Sequence, residues 1–213
     1  MEWRFTPAHS ILWSSQENLA NEISDITLHG DFPMTVVVRE TKETTIRCEL
    51  TLGTGVSSVT TGLPFLDHML VAFSRYSGLD LTLKATGDLP HHLIEDVAIC
   101  LGAAIAALLP ATAARYGDRS IPMDEALVHC ALDLGGRPYY RGPLPSTLYD
   151  HFMRSLSDNA KATLHFRVLR GTDRHHIVEA AFKALGLAVR EAFVDSGAVF
   201  STKGSVALRV EEK

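Results

Sequence analysis

Two five-residue stretches, His91-His92-Leu93-Ile94-Glu95 and His175-His176-Ile177-Val178-Glu179, carry the same imidazoles and carboxylate at the same spacing. Imidazole nitrogen and carboxylate oxygen together are a donor set for Mn, Fe, Zn or Ni. On a helix the glutamate lies one turn beyond either histidine and can share its face. Adjacent histidines point about 100° apart around the helix axis, so a pair serves two metals more naturally than one. Two further histidines, His68 and His151, each follow an aspartate and stand 23 and 24 residues ahead of His91 and His175. Six of the ten histidines therefore recur, as do Glu95 and Glu179. They divide into two sites of three histidines and one glutamate each, with coordination positions left open for substrate. That suits six-coordinate Mn better than a closed tetrahedral zinc. Asp67 and Asp150 are expected either to orient an imidazole or to cap a helix.

A second carboxylate pair, Glu43 and Glu125, stands at matching strand starts and offers acid/base chemistry, with solvated edge carboxylates as the plainer reading. The candidate catalytic residues are thus Glu43, Glu125, Glu95 and Glu179. One position breaks the repetition: Lys183 lies four residues beyond Glu179, where the first copy has Ile99. Lys183 either pairs with Glu179 on the helix surface or gives an otherwise symmetric site one cationic end for a phosphorylated substrate.

These groups are set in an internal duplication. The offset between copies grows from 82 residues, Glu43 to Glu125, to 84, His91 to His175. In each copy apolar alternation predicts strands (Thr35–Arg39, Thr45–Leu52 and Leu79–Leu83; then 126–134 and 162–169). Helical spacing predicts helices over Leu66–Tyr76 and 91–109, then 148–158 and 175–194. Gly53, Gly87, Gly135 and Gly171 mark the breaks. The fold class is α+β, two units of antiparallel strands with two helices each, pseudo-two-fold related, the helices packed on one face of the sheets. The boundaries are an N-terminal arm over 1–33, expected to be partly ordered, a first repeat over 34–121 and a second over 122–213, the repeats forming one domain. Ala and Gly in the long helices, Gly102 and Gly186 among them, allow close helix packing.

With 213 residues, 46% hydrophobic, the chain can bury a sizeable core, and a net charge of −5 with no basic stripe argues against a nucleic-acid partner. Three widely spaced cysteines suggest neither a disulfide framework nor a zinc knuckle, so a reducing, cytoplasmic setting is expected. The most apolar run, Val97 to Leu109, is short and stopped by Pro110, and reads as a buried helix with no membrane partner.

The assembled motifs resemble the imidazoleglycerol-phosphate dehydratase family over about residues 39 to 205. The resemblance is carried by Arg39-Glu-Thr-Lys-Glu-Thr44, Gly62-Leu-Pro-Phe-Leu-Asp-His-Met-Leu70, Ala85-Thr-Gly-Asp88, His91-His92-x-x-Glu95-Asp96, Pro122-Met-Asp-Glu-Ala126, Gly136-Arg-Pro-Tyr139, His175-His176-x-x-Glu179-Ala180, Phe182-Lys-Ala-Leu185 and Ser201-Thr-Lys-Gly204. It implies a carbon–oxygen lyase of histidine biosynthesis with two Mn2+ per active site, held by His68, His91, His92, Glu95, His151, His175, His176 and Glu179. It implies a homo-oligomer of 24 subunits with sites completed at subunit interfaces, and a small phosphorylated imidazole as substrate. Glu43 would handle the C2 proton, while Arg115, Arg137, Lys183, Ser201 and Lys203 would hold the phosphate. The chain departs from the family in its short Leu89-Pro90 connection before His91 and in Phe200 where a proline is usual. Two other readings compete: a di-metal hydrolase of a phosphorylated metabolite, and a non-catalytic di-metal relative whose shortened loops have altered or lost substrate binding.

Overall fold

Alternation in β2 (Thr44–Leu52) sends Ile46, Cys48 and Leu50 into the core, fully buried, and leaves Thr45 and Arg47 in solvent. The same logic builds each sheet of the computed structural model, which describes residues 33–199. The arm expected over 1–33 lies, but for Pro33, outside the described residues. The first unit runs β1 (Met34–Glu40), β2, β3 (Ser57–Thr60), α1 (Pro64–Ser77), β4 (Leu79–Gly87) and α2 (Pro90–Leu108). The second runs β5 (Tyr116–Met123), β6 (Ala126–Asp133), β7 (Tyr139–Arg141), α3 (Thr147–Ala160), β8 (Thr163–Arg170) and α4 (Arg174–Ala192).

Strand order is β1-β2-β4-β3 in one sheet and β5-β6-β8-β7 in the other, the same path twice. The first three strands of each sheet pair antiparallel, as the sequence predicts. The short strands β3 and β7 add in parallel, making both sheets mixed. With four and three residues they are too brief to show a period. β5 is also unexpected from the sequence, because Tyr-Gly-Asp-Arg-Ser-Ile-Pro-Met lacks alternation. It runs through the expected boundary at 122 and pairs wholly within the second sheet.

α1 and α2 pack on the first sheet and α3 and α4 on the second, while α1 meets α4 and α2 meets α3 across the units. The helices therefore form a middle layer between the sheets. The long apolar α2 would be long enough to cross a membrane, yet most of it is buried here against β2, β1 and α3. The two helix crossings depend on the repeated glycines. A Cβ at Gly102 would stand 2.6 Å from the Leu156 carbonyl oxygen, and one at Gly186 2.8 Å from Tyr76 Cβ and 3.0 Å from the Phe73 carbonyl. Backbone cannot yield as a flexible side chain does, so Gly102→Val is expected to lower stability by about 2 kcal/mol through overpacking. Urea denaturation checks this, and an unchanged midpoint would contradict it.

Candidate metal centre

The crossing that Gly186 permits brings His68 of α1 beside His175 and Glu179 of α4. His68 Nε2 lies 3.4 Å and His175 Nε2 3.2 Å from the same atom, Glu179 Oε2. The α2–α3 crossing does the same at the other copy: His91 Nε2 is 3.7 Å from Glu95 Oε2 and His151 Nε2 is 3.7 Å from Glu95 Oε1. Each triad offers three donor atoms within 4.8 Å of one another. In both, one histidine comes from the other repeat, so neither unit carries a triad alone.

The donor chemistry fits a cation. Glu179 Oε2 is buried and has no hydrogen-bond partner among the described residues, a costly condition that a metal held with the two imidazoles would relieve. Burial pushes the Glu179 carboxyl up, but the Lys183 ammonium, 2.9 Å from Oε1, and then His68 outweigh it and leave the pKa lowered. Lys183 thus pairs with Glu179 on a largely buried part of the helix, with Tyr76 under its charge and the Met123 sulfur at 3.6 Å. Phe65 lies against His175, ring centroids 5.0 Å apart, and lines with Tyr149 and Val178 a cavity of about 300 Å³ beside the triad.

His92 and His176 stand apart from both triads, as their rotation on the helix requires. Each presents Nδ1 to a carboxylate: His92 to Asp88 Oδ1 at 2.9 Å, His176 to Glu125 Oε2 at 2.7 Å. Such a bond fixes the tautomer; Nε2 of His92 is left for a ligand, while Nε2 of His176 lies 3.5 Å from Asp124 Oδ2. Asp88 holds the His92 pKa up and is itself held down by His92. Asp88 escapes the repeat logic because its counterpart at an offset of 84 is Thr172; only its position four residues before His92 hints at the contact.

Glu43 and Glu125, equivalent by duplication, differ in surroundings. Glu125 accepts from the Asp173 and Thr172 amides at 2.8 and 3.2 Å and from His176. The Asp173 amide first, then His176 and Thr172, bring its pKa down to about 2. The Glu43 carboxylate has no hydrogen bond among the described residues and stands 3.6 Å from His92 Nδ1. The aspartates ahead of His68 and His151 do neither thing expected of them. Asp67 accepts from Thr61 N and Oγ1 (2.9 and 2.7 Å), Asp150 from Tyr140 Oη and Leu144 N (2.6 and 3.2 Å). Both tie the preceding loop to the helix, because they point back along the chain instead of toward an imidazole.

The Glu125–His176 pair has a testable pH signature. Glu125 sits below its ordinary value of 4.5, so its bonds add stability that is complete above pH 4.5 and lost as pH falls toward about 2. The His176 pKa is raised above 6.5 by the Glu125 hydrogen bond, so that contribution is complete below pH 6.5 and lost as pH rises through the folded pKa. In metal-free protein the stability deficit of Glu125→Gln is expected to be largest between pH 4.5 and 6.5. A deficit independent of pH in urea titrations would contradict the pairing.

Of the expected phosphate ligands Lys183 stands at the α4 triad, but Arg115 and Arg137 do not. Arg115 packs at the far end of the second unit, its amide bonded to Ala192 O and its guanidinium to Asp133 and Leu134 O. Arg137 lies at that same end, exposed, its carbonyl accepting from Thr163 Oγ1. The length of α4, about 25 Å at 1.5 Å per residue, separates that end from His175. Ser201 and Lys203 lie outside the described residues.

Fold and site together define a duplicated α+β protein with histidine–carboxylate triads built across its repeats. A family model described as imidazoleglycerol-phosphate dehydratase matches residues 61–189. Relatives of that name from Chlorobium chlorochromatii (47% identical; 80% of this chain, 95% of theirs) and Methanococcoides burtonii (46%; 79% and 96%) align over most of their length. The crystal structure of the Pyrococcus furiosus enzyme is similar at a TM-score of 0.72 and 41% identity, covering 80% of this chain and all of that one. The Staphylococcus aureus enzyme gives 0.67 and 31%, covering 76% and 99%. The chain belongs to the imidazoleglycerol-phosphate dehydratase family, and it is an enzyme of the hydro-lyase class. The non-catalytic alternative is not favoured.

Proposed function

We propose that the protein removes water from imidazoleglycerol phosphate to give imidazole-acetol phosphate, a step of histidine biosynthesis in the cytoplasm, with two Mn2+ per active site. The observation that carries this reading is the pair of cross-repeat triads, each with an open side. His68, His175 and Glu179 would hold one ion and His91, His151 and Glu95 the other, with His92 and His176 supplying the remaining nitrogens. Bound there, the metals act as Lewis acids that stabilise negative charge on the imidazole ring. Glu43, whose carboxylate accepts no hydrogen bond among the described residues, takes the C2 proton as the C3 hydroxyl leaves, and the enol so formed rearranges to the ketone. Glu125 is a poorer base, being held charged near pH 2 by three donors.

The distance from the triads to Arg115 and Arg137 exceeds what one small substrate can bridge. The complete site therefore belongs to an assembly in which a second copy presents its phosphate-binding end, with Lys183, Ser201 and Lys203 as further ligands. A 24-subunit shell of one dehydratase domain per chain satisfies that requirement.

The deciding experiment is product formation from imidazoleglycerol phosphate by protein stripped of metal and then reloaded with Mn2+. Imidazole-acetol phosphate should form only after reloading. No product from fully metallated, assembled protein would refute the reaction.

A further inference from the structure

One buried patch is polar in the first unit and apolar in the second. Asp96, on α2 directly after Glu95, accepts from Thr44 Oγ1 on Oδ2 at 2.5 Å, and Arg39 Nε lies 2.9 Å from Oδ1 as an ion pair without an aligned N–H. Thr44 and Asp96 are 3% and 8% exposed. At the offsets that align Glu43 with Glu125 and His91 with His175, the counterparts of Arg39, Thr44 and Asp96 are Ile121, Ala126 and Ala180. Ala126 and Ala180 are buried, and β6 packs on α4 as β2 packs on α2, so these positions of the strand–helix contact are apolar in the second unit. A charge pair with one buried partner, as Asp96 is here beside a partly exposed Arg39, stabilises little beyond what apolar packing at the same place would give. Fold stability therefore does not account for the polar trio.

Its geometry does suggest a use. Thr41 Oγ1 accepts from the Glu43 amide at 3.1 Å and the Thr44 amide at 2.9 Å, and it lies 3.1 Å from Thr44 Oγ1. The Glu43 carbonyl accepts from the Asp88 amide at 3.0 Å. A chain of contacts thus runs from Asp96 through Thr44 and Thr41 to the backbone of Glu43, pinning that turn to the helix that carries His91, His92 and Glu95. Glu125 is fixed in the opposite manner, by spending its own carboxylate on the Asp173 and Thr172 amides and His176. The first unit fixes the turn through other residues and leaves the carboxylate without a hydrogen bond among the described residues, 3.6 Å from His92 Nδ1.

We propose that Arg39, Thr44 and Asp96 are positioning residues for the dehydration, holding the Glu43 turn against α2 so that its carboxylate is placed beside His92 for proton transfer. The proposal rests on Glu43 being the base. Asp96 and Thr44 touch no reacting atom in this role and act only through Glu43.

The test uses assembled, Mn-loaded, full-length protein. Thr44→Val, close in volume but without the hydroxyl, is expected to lower kcat by about ten- to a hundredfold, the scale of a misplaced catalytic group. KM and bound metal should stay unchanged, and Thr44→Ser should restore the rate. Arg39→Gln, at a partly exposed site, gives the same direction should Thr44→Val fold poorly. In a Glu43→Gln background, Thr44→Val should cost nothing further. If it costs the same factor there as in the wild type, or if Thr44→Ser is as slow as Thr44→Val, the trio is merely structural and the proposal fails while Glu43 keeps its role. If Glu43→Gln alone runs at the full rate, the base assignment fails and the proposal with it.

Discussion

Glu43→Gln is expected to lower kcat by about a hundred- to ten-thousandfold, the contribution of a well-placed general base, and added Mn2+ should not restore it. Glu125→Gln should behave differently. Its carboxylate orients His176 and caps the Thr172 and Asp173 amides, so the expected cost is about 10–100-fold in metal affinity, as for other partners of ligating histidines. Excess Mn2+ should then recover most of the rate. The two carboxylates hold the same place in the repeat, yet their neighbours sort them into one group held only 3.6 Å from His92 Nδ1 and one group hydrogen-bonded three times. Assaying both variants across a range of Mn2+ concentrations separates the roles. Equal rescue of both would mean that Glu43, too, only serves the metal.

Much of this arrangement is legible in the sequence because it is written twice. A single His-His-x-x-Glu has many harmless explanations, whereas two in register with matching upstream histidines single out a ligand set, and the strand and helix order follows from the same repetition. What was not legible depends on contacts between the copies or on elements too short to carry a period. Sequence spacing sets His68 23 residues ahead of His91 and His151 24 ahead of His175, each within one repeat, and does not say which site either joins. The helix crossings decide it across the repeats, putting His68 with His175 and His151 with His91. The strands β3 and β7 are too brief for alternation, and β5 hides its strand character behind Gly117, Pro122 and three charged or hydroxyl side chains. Duplication also misleads where the copies have diverged. It presents Glu43 and Glu125 as equivalents, and it hides Asp88, whose role opposite His92 is taken in the second unit by a glutamate from the β5–β6 turn.

That sharing of histidines makes the triads staples between the repeats, with a consequence for both metal binding and stability. His68→Ala removes the one donor that α1 gives to the α4 triad, and His151→Ala does the same for α3 and α2. Losing a direct ligand should weaken that site by more than the roughly 10–100-fold that follows loss of an outer partner. Metal analysis after dialysis is expected to show one of the two ions lost in each variant, and turnover should fall with it. Metal that binds only the folded chain stabilises it by about 2.7 kcal/mol per site when free metal is a hundredfold above the dissociation constant. The rise in unfolding temperature on adding Mn2+ should therefore shrink in either single variant and vanish in the double variant. His165→Ala, on the outer face of the second sheet beside Tyr139, should leave that rise intact. Were His68→Ala to keep its full complement of Mn2+, the α4 triad would not be a metal site. Loss of metal with no loss of stabilisation would instead mean that the ions do not tie the repeats together.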